Sequence, residues 1–369
     1  MPKNIHLLAM FLFLALHVGA QDNALSQFFA NRIYLNPAFA GMEEGLQFTN
    51  SVRSQWYRAD GGYKFAALAV EWQEPCWQSG FGLTVQGSVE GISPLSTFGT
   101  GLTYAYIIPY ESGNIHLGLQ YSYNQVRLDW DRLTFSDELD PVFGPIYNTS
   151  AVPALDKVEF HDFNAGIVWR FDSKIKVRGK TIRQYRSHLG LAFQHLSSLF
   201  GQGPDVSFQQ TNTEIPARIT FHGGTIIPLT FLSGASRKMV VSPNFRLETQ
   251  GFNPFRFKES FTLFSGGTYF IFEQAILGVF YHSRAPLPGF KHTNAFTLSL
   301  GFTQKEKEEK RHAYYIGLSV DANATGLGFR SGSVFEANFR YAIKGIRPVC
   351  EKKHKATTRK TVMDCKDFY

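Results

Sequence analysis

The chain has 369 residues, 15% of them aromatic and only 18% charged, with 33 glycines and a formal net charge of +7. Mean hydropathy is -0.16, and beyond the N-terminus no uninterrupted apolar run reaches the roughly 18 residues that a spanning helix needs, which excludes a helical membrane protein. The basic balance does not read as nucleic-acid binding, because no basic helix or recognised nucleic-acid module accompanies it. Many aromatics, many glycines and few charges fit a sheet protein with a large apolar exterior.

Residues 1–20 read as a secretory signal peptide. Lys3 supplies the positive start, residues 7–16 the apolar core, and Val18-Gly19-Ala20 the small residues for cleavage between Ala20 and Gln21. Residues 21–44 follow as an N-terminal segment. Asn36-Pro37 and Gly41 are turn signals there, and Phe28, Phe29, Tyr34 and Phe39 are packing anchors. The segment is too apolar for a loose linker and is expected to pack against the first strands, as a periplasmic or plug-like piece.

From Leu46 onward the chain alternates. In residues 115–124, the large apolar positions Ile115, Leu117, Leu119, Tyr121 and Tyr123 alternate with His116, Gly118, Gln120, Ser122 and Asn124. Strand side chains point to opposite faces in turn, so this stretch builds one greasy and one polar face. The pattern recurs along the chain, with strands beginning near Leu46, Tyr63, Phe81, Leu95, Ile115, Val158, Gln184, Ile215, Lys238, Lys258, Ala275, Lys291, His312 and Ser333. Pro243 and Gly266-Gly267 interrupt the ninth and tenth. The polar face is rich in Gly, Ser, Thr and Asn, and Arg170, Glu336 and Arg340 fall on it, as a filled or wet interior requires. The expected fold is an all-β, transmembrane, antiparallel up-and-down β-barrel of about 14 strands over residues 45–343. An even number returns the chain to its starting side.

Link lengths point the same way. Short turns at residues 74–78, 109–114, 272–274 and 304–310 alternate with long links at 129–157, 196–214 and 321–332, the arrangement of outer-membrane barrels, with short turns in the periplasm. Both termini are then expected in the periplasm. Residues 173–183, with Lys174, Lys176, Arg178, Lys180 and Arg183, are expected as a basic periplasmic loop, beside a basic C-terminal tail over residues 344–369. Together they would dock an acidic partner or simply be solvated.

Several of these residues carry a family resemblance. Ser26-Gln27-Phe28 and the run from Leu35-Asn36-Pro37 to Gly41 resemble the start of the PorP/SprF family, and Arg53-Ser54-Gln55-Trp56, Gly80-Phe81-Gly82-Leu83 and Tyr104-Ala105-Tyr106 continue the likeness. These are outer-membrane proteins of Bacteroidetes linked to type IX secretion and gliding. The resemblance implies a barrel that anchors, or helps to secrete, a large cell-surface adhesin bearing a type B C-terminal domain. It also implies a periplasmic link to peptidoglycan-binding lipoproteins and the secretion machinery.

No sequence pattern nominates enzyme chemistry: no nucleophile elbow, phosphate-cradling glycine loop or zinc spacing stands out, and no cofactor is expected. His188 and His195 are expected on opposite faces of one strand. Asp129, Asp131, Asp137, Glu138 and Asp140 cluster in the longest link and would hold calcium if they converged, although the spacing is not that of an EF-hand. Of the three cysteines, Cys350 and Cys365 are the favoured bridge, with pairing to Cys76, or three free thiols, as alternatives. A porin or solute transporter is the main rival reading. An outer-membrane hydrolase and a soluble periplasmic β protein are the others.

Overall fold

A computed structural model describes residues 24–58, 60–92, 95–150, 155–177, 180–208, 213–229, 239–251, 261–285, 293–304, 312–324 and 333–343. The strands are β1 (Leu46–Gln55), β2 (Tyr63–Glu74), β3 (Ser79–Glu90), β4 (Leu95–Tyr110), β5 (Gly113–Leu128), β6 (Leu139–Asp140), β7 (Gly144–Pro145), β8 (Lys157–Val177), β9 (Lys180–Gln194), β10 (Arg218–Pro228), β11 (Met239–Gln250), β12 (Phe261–Phe272), β13 (Ala275–Ala285), β14 (Thr293–Gln304), β15 (His312–Asn323) and β16 (Val334–Ile343). All but β6 and β7 pair in sequence as a closed barrel of 14 antiparallel strands, with β1 joined to β16. β6 and β7 form a small separate sheet in the link between β5 and β8. β11 runs through Pro243 and β12 through Gly266-Gly267, so neither interruption breaks its strand.

The faces fall as the alternation requires. On β5, Leu119 is 63% exposed on the outside, whereas the inward His116 is 1% exposed. The outward face of the other strands likewise carries Leu102, Leu300 and Leu318, all exposed. The inward positions Ser51, Thr220, Ser265 and Thr297 are buried. A protein in water would put its large apolar side chains inside. Here they coat the exterior of a closed sheet, with Trp72, Tyr106 and Trp169 near one rim, which is how a barrel meets lipid.

Short turns join β2–β3, β4–β5 and β12–β13 at one rim, which also holds the start of β1 and the end of β16. The long links β5–β8 and β9–β10 leave the opposite rim. One correction concerns residues 173–183. Their backbone is mostly strand rather than loop: β8 continues to Val177 and β9 begins at Lys180, with one register shift near Ile175. β-branched residues at every second position (Ile175, Val177) extend the strand preference past the wall. β5 begins at Gly113, opposite Phe171, so this hairpin stands beyond its neighbour.

The apolar core lies in the lumen, supplied by the chain before β1. Residues 24–45 fold inside the barrel. Phe28, Phe29, Leu35, Phe39 and Met42 form one buried cluster with Val168, Tyr269, Ile271, Phe280 and Tyr315 of the wall. The segment therefore reaches strands well beyond the first ones. Its backbone comes close to the sheet because the facing wall positions are glycine. A Cβ at Gly80 would strike the carbonyl of Ala40, one at Gly118 the backbone of Pro37 and Ala38, and one at Gly166 the Asn36 side chain. Gly41 closes the passage into β1 at φ +64, a left-handed conformation that costs glycine little, and lies against Gly80. Replacing Gly118 by Val is expected to destabilise this seating by about 1–3 kcal/mol, the usual range for overpacking. Tryptic cleavage after Arg32 on the folded barrel is the check, and an unchanged cleavage rate would contradict the close fit.

Candidate functional site

The lumen segment is fixed at three heights. Toward the long-loop rim, the amides of Ser26 and Gln27 donate to the two carboxylate oxygens of Glu336, at 2.8 and 3.0 Å. The Ser26 hydroxyl donates to Asp321 at 2.5 Å. The Arg53 guanidinium donates to the Ser26 oxygen at 2.5 Å and lies 3.2 Å from Glu336 and 3.5 Å from Asp321. Arg53 and Glu336 are direct cross-strand partners on β1 and β16, the pair of strands that closes the barrel. Each of these side chains is nearly inaccessible, so the charges are compensated by one another and by the segment's backbone.

At mid-height, Asn36 holds the turn. Its oxygen accepts from the Ala38 amide at 2.9 Å, and its nitrogen donates to the Ile167 and Leu191 carbonyls at 3.3 and 3.2 Å. His222 Nε2 lies 3.0 Å from the same nitrogen. Pro37 opens the short helical turn that follows, where its missing N–H costs nothing. Toward the short-turn rim, Glu43 pairs with Arg32 at 2.5 Å and with Arg340 at 3.5 Å. Arg340 also donates to the Ala30 carbonyl at 3.0 Å.

Of the family-motif residues, Ser26, Gln27, Arg53 and Gln55 thus converge at one end, where Arg53 also reaches Gln55 at 3.4 Å. Tyr315 donates to Gln27 at 3.0 Å. Asn36, Pro37 and Gly41 serve the turn and the exit. Trp56 stands apart, exposed beyond the end of β1. Asp321, Glu43 and the glycine seats went unrecognised in the sequence, whose signal was limited to charges on a lumen face.

Ala24, the first described residue, lies beside Arg53, Gln55 and Asn323 in the long-loop half of the lumen. The segment runs inward from there, and the expected periplasmic N-terminus falls on residues before Ala24, outside the described residues. Above the segment on that side is a cavity of about 570 Å3. Thr84, Gln86, Gln120, Asn124 and Asn164 line it, with Tyr34 of the segment and Phe208 of the β9–β10 link. His195 follows β9 at φ 57 and turns inward, 2.9 Å from Asp162. The expected opposition of His188 and His195 is therefore corrected: His188 is also inside, against Phe29 and Phe39.

The two long links brace one another. Trp130 stacks on Phe135 and meets Phe208 edge-on, and the Leu155 amide donates to the Phe208 carbonyl at 3.2 Å. The candidate calcium carboxylates do not converge. Asp129 pairs with Arg132 at 3.1 Å, Glu138 accepts from the Phe135 amide at 3.0 Å, Asp137 from Ser150 and Thr149, and Asp140 from the Val142 and Phe143 amides. Asp137, Glu138 and Asp140 thus serve as local loop caps, and no group of three potential ligands occurs among the described residues. Cys76 is disulfide-bonded. The other two cysteines are Cys350 and Cys365, the pair the sequence favours for a bridge. Both lie outside the described residues, as do Ala20, Gln21 and the tail.

The family described as type IX secretion system membrane protein PorP/SprF matches residues 17–341. The chain belongs to the PorP/SprF family. Membership associates it with type IX secretion machinery, and the closed barrel with its apolar exterior makes it an outer-membrane protein. A comparison with curated proteins found no match. Solved structures similar to this PorP/SprF barrel include the CymD monoaromatic hydrocarbon channel, at 13% identity over 89% of this chain and 95% of that one, TM-score 0.43. The P. putida toluene transporter TodX is 12% identical over 84% and 92%, TM-score 0.43. A Pseudomonas aeruginosa FadL homologue is 11% identical over 84% and 92%, TM-score 0.40. At these scores the likeness adds nothing to what the closed sheet itself establishes.

Two outcomes follow from this geometry. Arg53→Ala would leave Glu336 and Asp321 buried without their cation, and the expected loss is about 3–5 kcal/mol. Adding Glu336→Gln is expected to recover part of it, and thermal unfolding in detergent would read both; an Arg53→Ala barrel as stable as the parent would sink the latch. In the loop, donation from Ser150 and Thr149 holds Asp137 below the usual carboxylate range, and the Val142 and Phe143 amides do the same for Asp140. A lowered folded-state value stabilises the loop above the unfolded value and is lost as pH falls through the folded one. The carboxyl carbon signals of both residues should therefore titrate below the about 3.9 of an ordinary aspartate, and titration at or above it would remove the caps from the account.

Proposed function

We propose that this barrel is a plugged outer-membrane platform rather than a conduit. At the long-loop rim it holds an exported adhesin with a type B C-terminal domain. At the short-turn rim it meets a periplasmic peptidoglycan-binding lipoprotein and the secretion machinery. One observation carries this reading: residues 24–45 fill the middle of the lumen and are held to the wall at both ends by buried polar contacts, Ser26 and Gln27 with Glu336 and Arg53 at one end and Glu43 with Arg340 at the other. A barrel built this way spends its polar interior on holding its own chain. Its two rims remain for contact with other proteins.

The chain divides accordingly into a signal peptide at 1–20, the lumen segment at 21–44, the barrel at 45–343 and a basic tail at 344–369. Short turns face the periplasm, and the tail, with Lys352, Lys353, Lys355, Arg359 and Lys360, offers charge to an acidic partner there. Cys76, in the β2–β3 turn, carries a disulfide at that rim. No catalytic constellation accompanies the platform among the described residues, and the proposed role is that of a secretion-system membrane protein. The porin reading keeps one supporting feature, the polar cavity of about 570 Å3 at the long-loop rim, but conduction would need the latched segment to leave.

The experiment is affinity purification of the tagged protein from detergent-solubilised outer membranes, with bound proteins identified, alongside planar-bilayer recording of the purified barrel. The expected result is co-purification of a large exported adhesin or a peptidoglycan-binding lipoprotein, and negligible conductance. A lone barrel with steady ion conductance would replace this reading with the porin.

A further inference from the structure

The link between β5 and β8 ends in a tip whose chemistry the platform has not yet used. β6 and β7 pair through Leu139 with Pro145 and Asp140 with Gly144, leaving Pro141, Val142 and Phe143 at the turn. Val142 is 80% exposed and Phe143 76%. Leu139, Ile146 and Tyr147 beside them are also exposed. A Cβ at Gly144 would meet nothing within 4 Å, so open space surrounds the turn.

The tip is nevertheless fixed. The Asp140 carboxylate accepts from the Val142 amide at 2.8 Å, the Phe143 amide at 3.0 Å and the Tyr147 hydroxyl at 3.2 Å. The Glu138 carbonyl accepts from the Ile146 and Tyr147 amides at 3.0 and 3.2 Å. Asp137 fastens Ser150 and Thr149 at the far side, and the stacked Trp130 and Phe135 brace the base against Phe208. Large apolar side chains held out on a pre-ordered backbone lose little entropy on binding, which is the usual make-up of a contact hot spot.

We propose that this tip is the key by which the platform grips its exported partner, inserting Val142 and Phe143 into an apolar pocket ringed by Lys and Arg on that partner. The identity of the partner rests on the platform reading; the tip's role is a separate claim. Charge complementarity selects a protein of this kind. Asp129, Asp131, Asp137, Glu138 and Asp140 share the link with the apolar residues, against Arg132 as the cation among residues 129–150. An anionic outer leaflet would repel that acidic frame, and a second copy of the tip would bring like charges face to face. A basic-rimmed pocket satisfies both the apolar centre and the acidic surround.

The test uses the full chain in its own outer membrane. A photo-crosslinking phenylalanine analogue is placed at position 143, and adducts are identified by mass spectrometry. The supporting result is an adduct with an exported protein, at a site flanked by Lys or Arg. An adduct with lipid, an adduct with a second copy of this chain, or no adduct at all overturns the proposal. In parallel, Val142→Ser with Phe143→Ser is expected to lower the amount of co-purified exported protein about tenfold, equivalent to one hot spot, while Phe143→Leu retains most of it. Unchanged heat-dependent migration of the variant barrels shows that they fold. If parent and double variant retain the exported protein equally, the tip is not the key and the platform stands. If neither retains any, the platform reading falls with the tip.

Discussion

The interaction on which the rest depends is the buried contact of Arg53, Glu336 and Asp321 with Ser26. It sits at the seam where β1 meets β16, so the same charges that face each other across the closing strand pair also receive the end of the lumen segment. Pairing of β15 with β16 sets Asp321 beside Glu336, closure of the sheet brings Arg53 to them, and a carboxylate pair in a narrow lumen demands a cation and N–H donors. Arg53 supplies the first from the wall. The amides of Ser26 and Gln27 supply the second from the segment. Barrel closure and filling are in this sense one event.

The glycines complete the arrangement. An inward side chain at Gly80, Gly118 or Gly166 would occupy the volume through which the backbone of residues 36–41 passes. Their absence lets main chain pack on main chain, where Asn36 can reach the carbonyls of Ile167 and Leu191. The polar inner face is thus matched to a polypeptide over its middle and left to the cavity at the long-loop end. That asymmetry gives the two rims different chemistry. The long-loop rim has a polar hollow beneath braced loops and an apolar tip, and the short-turn rim has tight turns, a projecting hairpin and a disulfide.

The hairpin formed by the ends of β8 and β9 shows how strand preference and membrane thickness act separately. Alternation of Ile175 and Val177 with lysines continues the strand past the rim at which the neighbouring β5 begins. Lipid sets how much of a strand must be apolar on its outer face; it does not set where pairing stops. A length-based reading therefore cuts the strand at the rim and assigns the remainder to a loop.

Much of the architecture was determined by local sequence. The two-residue period of stretches such as 115–124 fixes which side chains face lipid, because a strand has two faces, and short and long links alternate because the chain must reverse at each rim. The strand starts near Leu46, Tyr63, Leu95, Ala275 and His312 are legible for that reason. Partnerships distant in sequence are not. Nothing near Ser26 announces that Glu336 will meet it, and nothing near Asn36 announces His222. Asp137 and Asp140 accept their hydrogen bonds from their own loop. In each case a side chain's partner is decided by which strands the closed sheet brings together and by how the lumen is filled. Hydrogen bonds and ion pairs act over a few ångströms in space, whatever the distance along the chain, so these choices belong to the tertiary structure.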